Sequence, residues 1–271
     1  MFDLVALEVD LAHTMFAGKL HFSPVTGSTN SDAMAAARSG APHGAVFFAG
    51  EQTAGRGRGD HTWHSAAGEG LYVSVLLRPN LAPAFLPLLP LAAGLAAADA
   101  ILAVTGLVVD LRWPNDLMLG PRKIGGILVE AQSQAQHEAA ARAFAVVGIG
   151  INVHQRGFDP GLATPATSLD LEAGYVFGQQ TSRQLLLTGL LKSLERETRG
   201  LLDPAVRRTI PVRVERASTW VRGRLVEVHG PQAYTGTTEG LDEHGFLLLR
   251  TEQGVVQVQT GGIRERIALS H

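Results

Sequence analysis

The chain has no cysteine, only three tyrosines and three tryptophans, and no surplus of either charge: 23 basic residues face 25 acidic ones. Without cysteine there is no disulfide framework, no thiolate metal site and no cysteine nucleophile, which suits a cytoplasmic protein. A formal charge of -2 gives no sign of non-specific binding to nucleic acid or anionic membranes, so any anion site must be local. The first residues are not expected to act as a secretory signal, because Asp3, Glu8 and Asp10 stand where a basic start and an apolar run would be needed. The most apolar region, Ala82–Val104, is interrupted by Pro83, Pro87, Pro90 and Asp99 and reads as a buried helix rather than a membrane span. With 271 residues, 45% of them hydrophobic, the chain can bury a full core as one large domain or as a large and a small one.

Periodicity predicts a strand near Leu20–Val25, a helix over Ser31–Arg38 started by Ser28, Thr29 and Asn30, and strands at Ala45–Glu51 and Leu71–Leu77. An alanine-rich helix follows over Leu86–Val104, stopped at Gly106, and then a strand at Val108–Arg112 running into Trp113-Pro114. Ile124–Ala131 and Ala143–Val153 read as neighbouring central strands whose glycines mark bulges or close backbone approach. Thr181 and Gln184 form a capping-box pattern ahead of the amphipathic run Leu185–Arg199. After Arg213 the texture changes to short strand candidates in WVRGRLVEVHG, AYTGTTEGLD, GFLLLR and VVQVQT, a small all-β module. The boundary is expected between residues 214 and 215.

Four segments hold polar residues for which a purely structural reading has little use. QTAGRGRGDHTW, from Gln52 to Trp63, joins two strands and sets Arg56 and Arg58 among Gly55, Gly57 and Gly59. Glycine lets backbone approach a ligand closely, and arginine donates forked hydrogen bonds to phosphate or carboxylate; a solvated linker is the alternative. Ser28-Thr29-Asn30 can be simply a helix cap, Asn115-Asp116 an ordinary turn, and Lys123 a lysine reaching solvent from a strand mouth.

Taken in order, GSTN, QTAGRGRGDHTW, RWPNDLML, KIGGILVE and VVGIGINV resemble the signature segments of biotin protein ligases over about residues 22–155. The resemblance implies an α+β fold: a class II aminoacyl-tRNA synthetase-like catalytic domain over 1–214, a mixed sheet with flanking helices, plus a small SH3-like β-barrel over 215–271. It implies a reaction in which biotin and ATP, with Mg²⁺, form biotinyl-5′-AMP, whose biotinyl group passes to a lysine of a biotin carboxyl carrier protein domain. Ser28, Thr29, Asn30 and Gln52 would bind the biotin head, and Arg56, Gly57 and Arg58 would close over carboxylate and phosphate as a lid. Lys123 would bridge the carboxylate and the α-phosphate. Asn115 and Asp116 would hold Mg²⁺, ATP or the incoming amine, with Asp116 better suited to orient the amine. Trp63 would lie beside the adenylate or pin the loop, and Asn152 would contact the nucleotide or its metal. The catalytic set is thus Lys123, Asp116 and Arg56; metal ligands stay unassigned.

Two departures stand out: the family often has lysine at Arg112, and further basic residues where this chain has Gly59-Asp60-His61. Family members that are also repressors carry an N-terminal winged helix-turn-helix, for which the stretch ahead of Leu20 is too short, so no nucleic-acid binding is expected. A homodimer through a sheet edge follows by analogy alone. The rival readings are a lipoate or octanoate ligase or transferase, a protein that holds biotin or nucleotide without turnover, and a β-barrel nucleic-acid binder. Arg222, Arg224, Arg264 and Arg266 are too scattered among acids to favour the last.

Overall fold

The computed structural model describes residues 2–59, 61–132, 143–173, 179–229 and 233–265, with backbone alone at 179–182. The first elements are α1 (Leu4–Asp10), β1 (Leu20–Thr26), α2 (Thr29–Arg38), β2 (Val46–Gln52), β3 (Gly70–Leu77) and α3 (Leu88–Thr105). Then come β4 (Asp110–Arg112), β5 (Asp116–Leu119), β6 (Arg122–Gln132), β7 (Phe144–Asn152), α4 (Leu169–Ala173), α5 (Gln179–Gly200), α6 (Pro204–Arg207) and α7 (Thr209–Arg216). The chain closes with β8 (Arg222–His229), β9 (Tyr234–Leu241), β10 (Leu247–Thr251), β11 (Gly254–Val258) and β12 (Gly262–Glu265).

Strands β1 to β7 form one mixed sheet in the order β1-β2-β3-β7-β6-β5-β4, parallel only between β1 and β2. β3 is buried at every position, as a strand covered on both faces must be. Leu71, Val73, Val75 and Leu77 join the main core with α3 and α5, while Leu76 joins a smaller cluster with Ala33 and Ala37 of α2. α3 is apolar on all sides and suited by length and composition to a membrane, yet most of it packs inside the core. It ends at Gly106, whose φ of 71° gives the left-handed cap that lets its N–H reach Leu102 O at 2.8 Å.

The second sheet is antiparallel throughout, in the order β11-β10-β9-β8-β12, and gives the SH3-like module. Its core residues Val226, Val228, Leu247, Leu249, Val258 and Ile263 belong to the same hydrophobic cluster as α3. Direct bonds also join the two sheets' surroundings. The Trp113 indole N–H donates to Gly245 O at 3.0 Å, and Leu111 N–H donates to Ala217 O at 2.8 Å.

Several expectations need correction. The N-terminal segment folds as α1, capped by the Asp3 carboxylate accepting from Ala6 N–H at 3.0 Å, a short cap that apolar periodicity does not reveal. Asn115-Asp116 is not just a turn, because Asp116 opens β5, which pairs with both β4 and β6. The expected strand at Val108 starts only at Asp110, and the following Trp113-Pro114 peptide is cis. α3 begins two residues later than expected, behind a 3₁₀ turn at Pro83–Phe85. α5 begins at Gln179, so Thr181 lies inside the helix rather than at its cap; its side chain lies outside the described residues. Gln184 instead accepts from Asp3 N–H at 2.9 Å. β12, an extra strand in the module, completes the edge beside β8.

Candidate active site

One cleft of about 600 Å³ gathers the expected ligand-binding and catalytic residues: Ser28, Thr29, Asn30, Gln52, Arg56, Gly57, Arg58, Trp63, Asn115, Asp116, Lys123 and Asn152. They come from five separate stretches of chain, and β3, β6 and β7 supply the floor. From the C-terminal module come His229, Gly261, Ile263 and Arg264.

At one end, Ser28 occupies the N-cap position of α2, but its side chain makes no cap hydrogen bond. Thr29 and Asn30 are the first helical residues, so the helix start presents side chains rather than merely ending a strand. Thr29 N–H donates to Gln52 Oε1 at 2.9 Å, and its hydroxyl lies 2.8 Å from Ser74 Oγ. Ser74 donates to Asn30 Oδ1 at 2.6 Å, and Asn30 Nδ2 donates to Glu130 Oε2 at 2.8 Å. Gln52 is held in turn by donating to Ser65 Oγ at 2.8 Å. A buried polar network with its members satisfied is rigid. Gly148 makes room for it, since a Cβ there would overlap Asn30 Oδ1. Ser74 and Glu130 carry this network without having been singled out beforehand; the one available signal for Ser74 was a polar residue inside the apolar run LYVSVLL.

The glycine-arginine loop is an arm folded back on itself, with Arg56 bridging to Thr62 and Trp63 N–H donating to Gly55 O at 2.9 Å. Its three glycines do different work. Gly59 alone has a positive φ, of 60°, whereas a Cβ on Gly55 would collide with the Trp63 carbonyl. Asp60 of the Gly59-Asp60-His61 departure lies outside the described residues. Trp63 lies flat against the sheet, so close that a Cβ on Gly150 would sit 2.6 Å from its Nε1. That Nε1 is buried and without a hydrogen-bond partner among the described residues, and the Lys123 amine lies 5.6 Å from the ring centroid.

Two arginines of this arm reach different partners. Arg56 makes a two-pronged pair with Glu130, at 3.0 and 2.6 Å, and so faces the Asn30 end of the cleft. Arg58 donates to Asn115 Oδ1 at 3.3 Å and to Gly261 O at 2.9 Å, tying the arm to the C-terminal module. Burial lowers the Arg58 pKa from its ordinary value while the field of Asp116 works the other way.

The centre is a charge cluster in which Arg112 is buried and Asp116 and Lys123 are partly buried. Lys123 Nζ lies 2.5 Å from Asp116 Oδ1, and Arg112 donates to Asp116 Oδ2 through Nε at 3.0 Å and Nη2 at 2.6 Å. Burial by itself would raise the Asp116 pKa, but Lys123 and Arg112 outweigh it and hold the carboxyl below the usual range. Lys123 is therefore no snorkelling surface lysine. Its own strand position is fixed from both sides, with its N–H donating to Pro165 O at 2.8 Å and its carbonyl accepting from Thr167 N–H at 3.0 Å. Asn152 secures the same loop by donating to Thr167 O at 3.0 Å.

As a place for Mg²⁺, the cluster does not fit as it stands. Among the described residues no group of three or more His, Asp or Glu side chains converges, and both Asp116 oxygens already face cations. Of the three expected partners of Asn115 and Asp116, this geometry favours ATP or the incoming amine over Mg²⁺.

Comparison with known proteins agrees with the layout. Residues 22–152 match the Biotin/lipoate A/B protein ligase family, and residues 223–263 match the Biotin protein ligase C terminal domain. The chain is 34% identical to a Biotin–[acetyl-CoA-carboxylase] ligase of Mycobacterium tuberculosis over 245 residues, covering 88% of this chain and 85% of that one. It is 31% identical to the Bifunctional ligase/repressor BirA of Bacillus spizizenii, covering 90% and 73% of the two chains. A solved biotin protein ligase from Aquifex aeolicus in complex with biotin and ATP superposes with a TM-score of 0.77 at 28% identity, over 92% of this chain and 99% of that one. Signature segments, two-module architecture and these similarities together establish that the chain belongs to the biotin protein ligase family.

Proposed function

We propose that the protein is an ATP-dependent ligase that activates biotin as biotinyl-5′-AMP and transfers it to one lysine of a biotin carboxyl carrier protein domain. In the first step a biotin carboxylate oxygen attacks the α-phosphorus and pyrophosphate leaves. In the second the acceptor ε-amine, having given up a proton, attacks the activated carbonyl carbon and AMP leaves. The observation that carries this reading is the placement of Lys123 and Arg58 at the middle of one cleft, between the polar floor at Ser28–Asn30 and the C-terminal module. A carboxylate and a triphosphate repel each other, so fixed cations aimed at the developing charge accomplish more than a strong base.

Within that reading, Ser28, Thr29, Asn30 and Gln52 bind the ureido head of biotin, which needs both donors and acceptors. The Ser28 hydroxyl has no partner among the described residues and is the group most open to it. Lys123 bridges the two anions, Arg56 and Arg58 with Gly57 close over them, and Trp63 gives the adenylate an apolar wall. Asn115 and Asn152 line the nucleotide end. A depressed pKa makes Asp116 a poor proton acceptor, so its part in the second step is to orient the amine. ATP supplies the phosphates, with Mg²⁺ to offset their charge when bound. On the C-terminal module Arg264 lines the cleft, whereas Arg222, Arg224 and Arg250 are paired with Glu215, Glu265 and Glu239. Arg264 is the module's candidate phosphate contact; Arg266 lies outside the described residues. The need for ATP and a carboxylase acceptor fits a cytoplasmic protein, and the outer edge of β1 is the candidate seam for a homodimer.

The test is incubation with biotin, Mg-ATP and a carrier domain, read by mass spectrometry. One added biotinyl group on one lysine is expected. ATP–pyrophosphate exchange with biotin against lipoic and octanoic acids separates the ligase classes, and exchange driven by the latter two would replace this reading.

A further inference from the structure

We infer that Trp220 is a positioning residue for biotin activation: its indole holds Arg112 against Asp116 and thereby leaves Lys123 free to turn toward the ligand anions. The inference rests on the ligase reading. Trp220 lies outside the cleft lining and belongs to the strap leading from α7 into β8.

Arg112 has three polar contacts on one side, the two to Asp116 Oδ2 and a third from Nη2 to Thr164 Oγ1 at 3.0 Å. Its guanidinium carbon lies 5.2 Å from the centroid of the Trp220 ring. Both residues are 8% exposed, so this contact is made out of water, where a cation over an indole face is worth most. Arginine suits the place because it offers a flat face to the ring and a fork to the carboxylate together, which lysine cannot do.

The ring is anchored independently of Arg112. Thr219 donates to Asp110 through its N–H at 2.9 Å and its hydroxyl at 2.6 Å, and Trp220 N–H donates to Ser218 Oγ at 3.1 Å. Arg224, 5.3 Å from the same ring, donates to Thr219 O at 3.1 Å and pairs with Glu265 at 2.6 Å. Trp220 is therefore a fixed wall on which Arg112 rests.

The consequence for Lys123 follows from sharing one carboxylate. Asp116 Oδ1 faces Lys123 and Oδ2 faces Arg112, so each cation competes for the same negative charge. With Arg112 loosened, Asp116 would hold Lys123 more tightly, and the amine would be harder to draw to a carboxylate and phosphate. Among the described residues the network at Thr29, Asn30, Gln52 and Ser74 shares no hydrogen bond with this cluster and would be left as it is.

The experiment measures ATP–pyrophosphate exchange in Trp220→Leu and Trp220→Phe, each alone and in an Arg112→Met background. We expect Trp220→Leu to lower kcat by about tenfold with little change in the KM for biotin, and Trp220→Phe to recover most of the loss. In the Arg112→Met background Trp220→Leu should cost nothing further, because the two act through one contact. Lys123 should also react more slowly with an amine-directed reagent in ligand-free Trp220→Leu. Should that variant fail to fold, Trp220→Met is judged by the same criteria. Parental kinetics in Trp220→Leu, or a full additional loss on top of Arg112→Met, overturns the inference while leaving the ligase reading intact. A parent enzyme without biotin-dependent exchange overturns the reading itself.

Discussion

Strand β6 carries an ion-paired charge near each of its ends, and the surroundings of the two differ. Near its start Lys123 faces Asp116, whose side chain is 14% exposed and also held by Arg112. Near its finish Glu130 faces Arg56, whose side chain is 43% exposed. An ion pair in water is worth little and exchanges partners readily, whereas removing one member of a buried cluster strands the remaining charge. The difference suggests two functions. Arg112 with Asp116 is permanent electrostatic scaffolding beside Lys123, and the Arg56–Glu130 pair is a contact that an incoming anion can replace when the arm closes.

Asp116→Ala should give the largest effect, because it orphans the buried Arg112 and the half-buried Lys123 together. A loss of about 3–5 kcal/mol is expected in urea unfolding, and an unchanged midpoint would remove the distinction between the two centres. The pH dependence has a defined sign. A depressed native pKa means stability that is complete above the unfolded value, about 3.9, and lost as the pH falls toward and through the lower native value. The gap between the parent and Asp116→Asn should therefore be full at neutral pH and shrink in acid.

Lys123→Ala should slow biotinyl-AMP formation by about 10²–10³-fold, the scale for a lost charge-stabilising donor, while equilibrium dialysis finds biotin still bound. Equal loss of binding and turnover would assign Lys123 to affinity instead. Gly148→Ala tests the neutral floor between the two charge centres. Its Cβ would displace Asn30, and overpacking of this kind costs about 1–3 kcal/mol, here together with weaker biotin binding by calorimetry. The smallest stability change belongs to Arg56→Ala, within about 1 kcal/mol for so exposed a pair. Its expected signature is kinetic: faster escape of biotinyl-AMP in a single-turnover assay. Full retention of the intermediate would show that the arm closes without Arg56.

How much of this was legible beforehand varies with the kind of signal. The strands β6 and β7 were readable as central neighbours because both are apolar and carry glycines at matching places, and they do pair, Gly126 opposite Gly150. The expected site residues all line one cleft, since each came from a segment whose polarity had no structural use. α1 and β5 were not readable. They are short: α1 owes its form to a single cap, and β5 to pairing on both sides with the strands just before and just after it.

The amino-acid sequence by itself determined the family, the two modules and the set of residues that meet at the cleft, because signature segments and hydrophobic spacing are local properties. Which cation faces which carboxylate was decided only by tertiary structure. Arg56 and Glu130 stand 74 residues apart, and Arg58 reaches Gly261 across 203. Burial, too, is assigned by packing rather than by residue type. It is burial that makes Asp116 with Arg112 a fixed pair and leaves Arg56 with Glu130 an exchangeable one.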